Sequence, residues 1–172
     1  MRPLSIVTLV ALLALALPAQ AQVNFGGQLS FADDLDFGVG ARALFDTGDV
    51  VAQSRVEAAF DFYFPDEGGF GADVTAWILE ANAHYFFPIE NSPVNVYAGA
   101  GFHYWDISYD IEFTNPFTGD TVSEDGGDDG IGLNILGGVE FPLENSSVTP
   151  FAELKLQLSG AEQFILTGGV VF

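Results

Sequence analysis

The sequence predicts an all-β fold, an eight-stranded antiparallel up-and-down transmembrane β-barrel preceded by a cleavable signal peptide. Three observations lead there. Apolar residues recur at every second position, turn-forming clusters cut that alternation into eight segments, and charged residues avoid the apolar face. Composition removes the main alternatives. Of 172 residues, 49% are apolar and 17 are Phe, which is not a disordered chain. The 24 Asp and Glu against 4 Lys and Arg give a formal net charge of −20. Such a chain cannot bind nucleic acid by neutralising phosphates. With no Cys, it can hold neither a disulfide framework nor a thiolate zinc site.

The first element is a targeting segment. Arg2 is the only charge before residue 33, residues 6–17 are predominantly apolar, and Pro18 ends the run. Ala19-Gln20-Ala21 then offers the small residues a signal peptidase reads. The run is too short for a membrane-spanning helix, which needs about 20 residues. The expected division is a signal peptide over 1–21 and one barrel domain over 22–172.

Eight strands are expected over 23–32, 37–45, 51–64, 73–87, 94–105, 131–141, 151–158 and 163–172. The first turns Phe25 and Phe31 to its oily face. The second sets Phe37 and Phe45 against Gly38, Gly40 and Arg42. In the third, Val56, Ala58, Phe60, Phe62 and Phe64 oppose Glu57 and Asp61. The fourth sets Trp77, Leu79, Ala81, Ala83, Tyr85 and Phe87 against Glu80, Asn82 and His84. The fifth sets Val94, Val96, Ala98, Ala100, Phe102 and Tyr104 against Asn95, Gly99, Gly101 and His103. The sixth puts Phe141 opposite in parity to Gly132, Gly138 and Glu140, the seventh carries Glu153 and Lys155 on its polar face, and the eighth ends on Phe172. Successive strand side chains point to opposite faces, so each segment has one oily face. Short turns at 46–49, 88–93 and 142–150 lie at one end. The connections 33–36, 65–72, 106–130 and 159–162 lie at the other. The third of these reads as one long loop with eight acids and no Lys or Arg, extended and mobile through self-repulsion.

Alternation alone fits a soluble barrel with an oily interior as well as a membrane barrel with an oily exterior. Charge placement decides. A soluble barrel needs a densely charged outer face. Here only Arg42, Arg55, Glu57, Asp61, Glu80, Glu140, Glu153 and Lys155 are charged within strand bodies, all on the non-oily parity. In a membrane barrel that parity faces inward, and the oily parity faces lipid. Phe25, Phe45, Phe87, Phe141 and Phe172 would form one aromatic girdle. Phe31, Phe37, Phe64, Trp77, Phe102 and Tyr104 would form the other.

The cleavable leader, the eight alternating strands, the glycine-rich segment Val94-Asn95-Val96-Tyr97-Ala98-Gly99-Ala100-Gly101-Phe102 and the end Gly168-Gly169-Val170-Val171-Phe172 resemble the small outer-membrane barrel families. These are the transmembrane domain of outer-membrane protein A and the opacity-type proteins of the porin-like superfamily. The resemblance implies the bacterial outer membrane, a surface or structural role and no cofactor. It also implies that Phe172 is the signal by which the barrel-assembly machinery recognises the C-terminal strand. The wall-binding domain that follows the barrel in outer-membrane protein A has no counterpart in these residues, so wall anchoring is not carried over.

The eight inward charges are expected to form a lumen network, because a buried charge must be paired. Eight strands enclose only enough room for side chains, which favours a structural plug over an ion-selective channel. His84 and His103 are expected about six residues apart along the barrel, with His84 near Tyr97 and His103 near Ile78, too far apart for a shared metal. A lipid-modifying barrel enzyme would need a nucleophile beside its base, and His103 and Ser108 have opposite parity. No metal site is expected. The acidic run Glu124-Asp125-Gly126-Gly127-Asp128-Asp129-Gly130 fits diffuse divalent cations, bridging to lipopolysaccharide phosphates, better than a defined calcium loop. The acid excess also fits a salt-loving source. The expected partners are outer-membrane lipids and lipopolysaccharide, with the barrel itself a monomer.

Overall fold

Strands that cross hydrocarbon must pair every backbone N–H and C=O, because no water is there to receive them. A computed structural model of the chain meets that demand by ring closure. It describes residues 23–48, 50–65, 72–114, 121–158 and 162–172; the expected signal peptide lies outside the described residues. The strands are β1 (Val23–Ala32), β2 (Asp36–Asp46), β3 (Ser54–Phe64), β4 (Ala72–Phe87), β5 (Asn95–Thr114), β6 (Thr121–Glu140), β7 (Thr149–Leu158) and β8 (Gln163–Val171). Each pairs antiparallel with the next, and β8 returns to β1 to close the barrel. The seam runs from Gly26↔Val171 to Ala32↔Ile165. Beyond it, Phe25 and Phe172 exchange backbone hydrogen bonds of 3.1 and 2.9 Å.

The oily parity lies on the outside. Phe25, Leu29, Phe31, Phe60, Phe102, Ile131 and Leu166 are all exposed. Phe31↔Phe37 and Phe37↔Phe64 carry an aromatic band across three strands. Phe60, Trp77 and Tyr104 continue it, with ring centroids 6.0 and 5.3 Å apart. At the end that carries both barrel termini, Phe25, Phe87, Phe141 and Phe172 are exposed.

The interior is layered. Ala32, Leu35, Tyr63, Ala76, Ile78, Trp105 and Ile165 form an apolar cluster at the end away from the termini. Leu44, Phe151 and Val171 form a second one at the terminal end. Between them lie the buried polar side chains.

Three sequence expectations require correction. The segment 106–130 is not one long loop: β5 and β6 stay paired from Asp106↔Asp129 to Thr114↔Thr121. Asp and Gly are poor strand formers, but the ladder already built below templates the extension. The alternation also continues while its sense reverses. Beyond Tyr104 the lipid-side parity carries Asp106, Ser108 and Asp110, and the opposite parity carries Ile107 and Tyr109. The switch marks where hydrocarbon gives way to water. Second, the turn after β2 extends through Gln53, so β3 starts at Ser54 rather than at 51. The Thr47 carbonyl accepts from the Val50 and Val51 amides at 2.8 and 2.9 Å, and Gln53 is left-handed at φ 63°. Third, His84 faces Gly99 and His103 faces Glu80, so the β4–β5 register is shifted by two from the expected one. The histidines are therefore four residues apart along the barrel, roughly 14 Å at 3.4 Å per residue.

The two faces should respond differently to charge. Ala58→Arg and Ala98→Arg, on the lipid side, should each cost about 2–4 kcal/mol in bilayers. Leu143→Arg, in the exposed turn after β6, should change stability by no more than about 0.5 kcal/mol. Urea titration of the barrel refolded into phospholipid vesicles measures all three. Equal tolerance at the three positions would contradict the lipid-facing assignment.

Candidate functional site

Inward side chains of a narrow barrel have nowhere to go but toward each other. Arg42 on β2 is the hub of the interior. Its Nη1 lies 2.7 Å from Glu57 Oε2, its Nη2 lies 3.4 Å from Glu153 Oε1, and its Nε donates to Gln28 Oε1 at 2.5 Å. The guanidinium also lies 3.9 Å from the centre of the Phe151 ring, which floors it from the terminal end. Lys155 on β7, only 1% exposed, pairs with Glu80 and lies 3.6 Å from Glu153. Glu153 is therefore shared by both cations. Its other oxygen accepts from the Tyr97 hydroxyl at 2.8 Å.

Two cations face four carboxylates in this central layer, so neutral donors complete it. Asn82 Nδ2 donates to Glu57 at 3.0 Å, and Gln157 Nε2 donates to Glu80 at 3.4 Å. Asp61 has no ion pair among the described residues. It accepts from Gln28 Nε2 at 2.7 Å and Ser30 Oγ at 2.9 Å. Ser30 is bridged to Thr167 across the seam. Arg55 and Glu140 stand apart as a separate pair at 2.5 Å, with Arg55 4.7 Å from the Phe86 ring centre. Thus six of the eight charged residues named from sequence join one network and two form their own pair. The sequence reading did not single out Gln28, Ser30, Asn134, Gln157 and Thr167. Their only sequence signal is that they share the inward parity.

The remaining chemistry is modest. Glu57, His84 and Glu153 could bring ligand atoms within 4.8 Å of one another, the geometry of a small metal site. Arg42 already binds both carboxylates, so the position a cation would take is filled by a guanidinium. His84 stacks on Tyr97 with centroids 4.8 Å apart. His103 Nδ1 is bonded to Asn134 Oδ1 at 2.6 Å. Ser108, on the opposite parity from His103, is exposed and donates to Asp106 at 3.3 Å. No Ser–His pair lies within hydrogen-bonding reach among the described residues.

The sequence matches the autotransporter beta-domain family over residues 19–171. No curated protein matches it. Among solved structures it is similar to the N-terminal β-barrel domain of OprF from Pseudomonas aeruginosa. The TM-score is 0.61 at 16% identity, over 89% of this chain and 98% of that one. A major outer membrane protein from Thermus thermophilus gives a TM-score of 0.62 at 12% identity, again over 89% and 98%. At these identities the likeness is one of fold, that of a small outer-membrane β-barrel.

The central layer has a stability signature. Lys155→Met leaves Glu80 and Glu153 short of a cation and should cost about 3–5 kcal/mol. Lys155→Met with Glu80→Gln removes both partners and should recover a large part of that loss. Urea unfolding in vesicles, followed by tryptophan emission, measures both. A double variant no more stable than the single one would show that the pair does not carry the energetics assigned to it.

Proposed function

The chain belongs to the autotransporter beta-domain family, and from that premise we propose that it is a closed, non-enzymatic barrel of the bacterial outer membrane with a structural and surface role. One observation carries this reading: the interior is a paired polar layer held between two apolar clusters, with Leu44, Phe151 and Val171 at one end and Tyr63, Ile78, Trp105 and Ile165 at the other. Such a lumen is a plug. It leaves no water-filled path for ions and no room for an extended polypeptide. His103 is engaged by Asn134 and Ser108 by Asp106, which suits a structural role rather than a catalytic one.

The short turns and both barrel termini mark the periplasmic end, and the β5–β6 extension projects outside the cell. The lipid-side face of that extension sets Asp106 opposite Asp129 and Asp110 opposite Asp125. Like charges directly across a ladder are unfavourable unless screened. Calcium or magnesium supplies that screening and bridges the acids to lipopolysaccharide phosphates. Phe172, bonded to Phe25 beyond the seam, is the handle for the barrel-assembly machinery. A closed ring exposes no strand edge, and the barrel works as a monomer.

Two measurements test the reading. Purified protein in planar bilayers should give no steady conductance, and reproducible ohmic channels would replace the plug with a pore. Calcium and magnesium should protect the β5–β6 extension from proteolysis gradually and to a similar extent. A sharp, calcium-selective transition abolished by Asp128→Asn would replace diffuse screening with a defined metal site.

A further inference from the structure

Beyond the hydrocarbon the barrel wall is open on one flank. β6 stays paired with β5 as far as Thr114↔Thr121, but its pairing with β7 ends at Leu133↔Leu158. From Asp125 to Gly130 it therefore has β5 on one side and, among the described residues, no strand on the other. The ladder shows which backbone groups that leaves free. Phe141 donates its amide to the Pro150 carbonyl on the β7 side, and every second residue of a strand turns its backbone groups the same way. The registers to β5 and β7 run without a bulge, so Asp125, Gly127 and Asp129 turn N–H and C=O to the open flank. The Asp129 amide is consistent with this: in place of a strand it donates to its neighbour's side chain, Asp128 Oδ1, at 3.0 Å. All three residues are exposed. A row of unpaired backbone groups in water is a template for another strand.

The side chains beside that row select the occupant. One face of the extension carries Asp125 and Asp129, each opposite a further acid, Asp110 and Asp106. Arg42, Arg55 and Lys155 are engaged in the lumen, so no Lys or Arg answers these acids among the described residues. On the other face Gly126 and Gly130 lie across from Tyr109 and Trp105, and a Cβ at Gly126 would run into the Tyr109 ring. That ring is 44% exposed. An incoming strand thus meets carboxylates on one face and aromatic surface on the other. A second copy of the chain, joined edge to edge, would set acids against acids.

We propose that the open flank of β6, from Asp125 to Gly130, takes up an extended peptide of alternating basic and apolar residues as an added antiparallel strand. Directly opposed residues of an antiparallel pair share a face. The basic residues therefore stand opposite Asp125, Gly127 and Asp129 and exchange backbone hydrogen bonds with them, while the apolar residues turn to the side of Tyr109. Main-chain bonds hold the peptide, and the alternation of its side chains selects it. The inference rests on the β5–β6 extension standing clear of the membrane and is independent of whether the lumen conducts.

The test uses the full chain in zwitterionic detergent micelles free of calcium and magnesium. The probe is a fluorescein-labelled, end-blocked peptide, Lys-Val-Lys-Val-Lys-Val-Lys, whose anisotropy should rise saturably. N-methylation of its lysines removes the donors that face β6 and should weaken binding about tenfold or more, whereas N-methylation of its valines should not. Asp125→Asn with Asp129→Asn should weaken it about tenfold through lost charge. Asp129→Pro also removes an edge amide, at a place where a strand tolerates proline, and should bind more weakly than Asp129→Asn. Heat-modified gel mobility confirms that each variant is folded. The proposal is overturned by no saturable response, by equal loss from both methylated peptides, or by equal affinity in Asp129→Pro and Asp129→Asn. Dimers of the unliganded chain that Asp129→Pro abolishes would assign the flank to a second copy and overturn the peptide.

Discussion

Every feature of this protein descends from one constraint: hydrocarbon offers no partner for a backbone amide. The chain answers with eight strands joined head to tail into a ring. Ring closure then forces the side chains into two populations, because neighbouring residues point to opposite faces. One population meets lipid and must be apolar. The other meets itself across a narrow interior, where buried polar groups need partners. The alternation, the aromatic bands and the buried hydrogen-bond network are three expressions of the same demand.

The interior also determines the charge of the surface. Apart from Arg2 the sequence has only Arg42, Arg55 and Lys155 as strong cations, and all three are held in the lumen. None is left for the outside. Asp33, Asp34, Asp125, Asp128 and Asp129 therefore face solvent without basic neighbours among the described residues, and small ions are left to screen them. The neutral inner side chains follow the same logic. Gln28, Asn82 and Gln157 complete carboxylates that the two central cations cannot satisfy.

Much of this was legible in the sequence, and the remainder fails for identifiable reasons. Period-two alternation locates all eight strands, and the parity of Glu57, Asp61 and Lys155 separates the two faces. Pairing requires register, which alternation does not contain; a shift of two preserves every face, and so His103 lies across from Glu80 rather than Ile78. The stretch from Asp106 to Gly130 read as a loop because acids and glycines outweigh the alternation of Ile107 and Tyr109. A ladder can propagate through residues that would not start one. The inward apolar residues Leu44, Ile78, Phe151 and Ile165 were invisible for another reason. A rule that assigns polar side chains to the lumen has no place for two apolar layers inside it.

The seam between β1 and β8 has a kinetic consequence. The hydroxyl contact of Ser30 with Thr167 spans 137 residues, and Arg42 meets Glu153 across 111. Neither can form until nearly the whole chain has been synthesised and threaded, so native order arrives late and together. Until then β1 carries an open edge that could recruit any other strand in the periplasm. Folding of this barrel is therefore a race between closure and aggregation, decided by how quickly its last strand reaches its first.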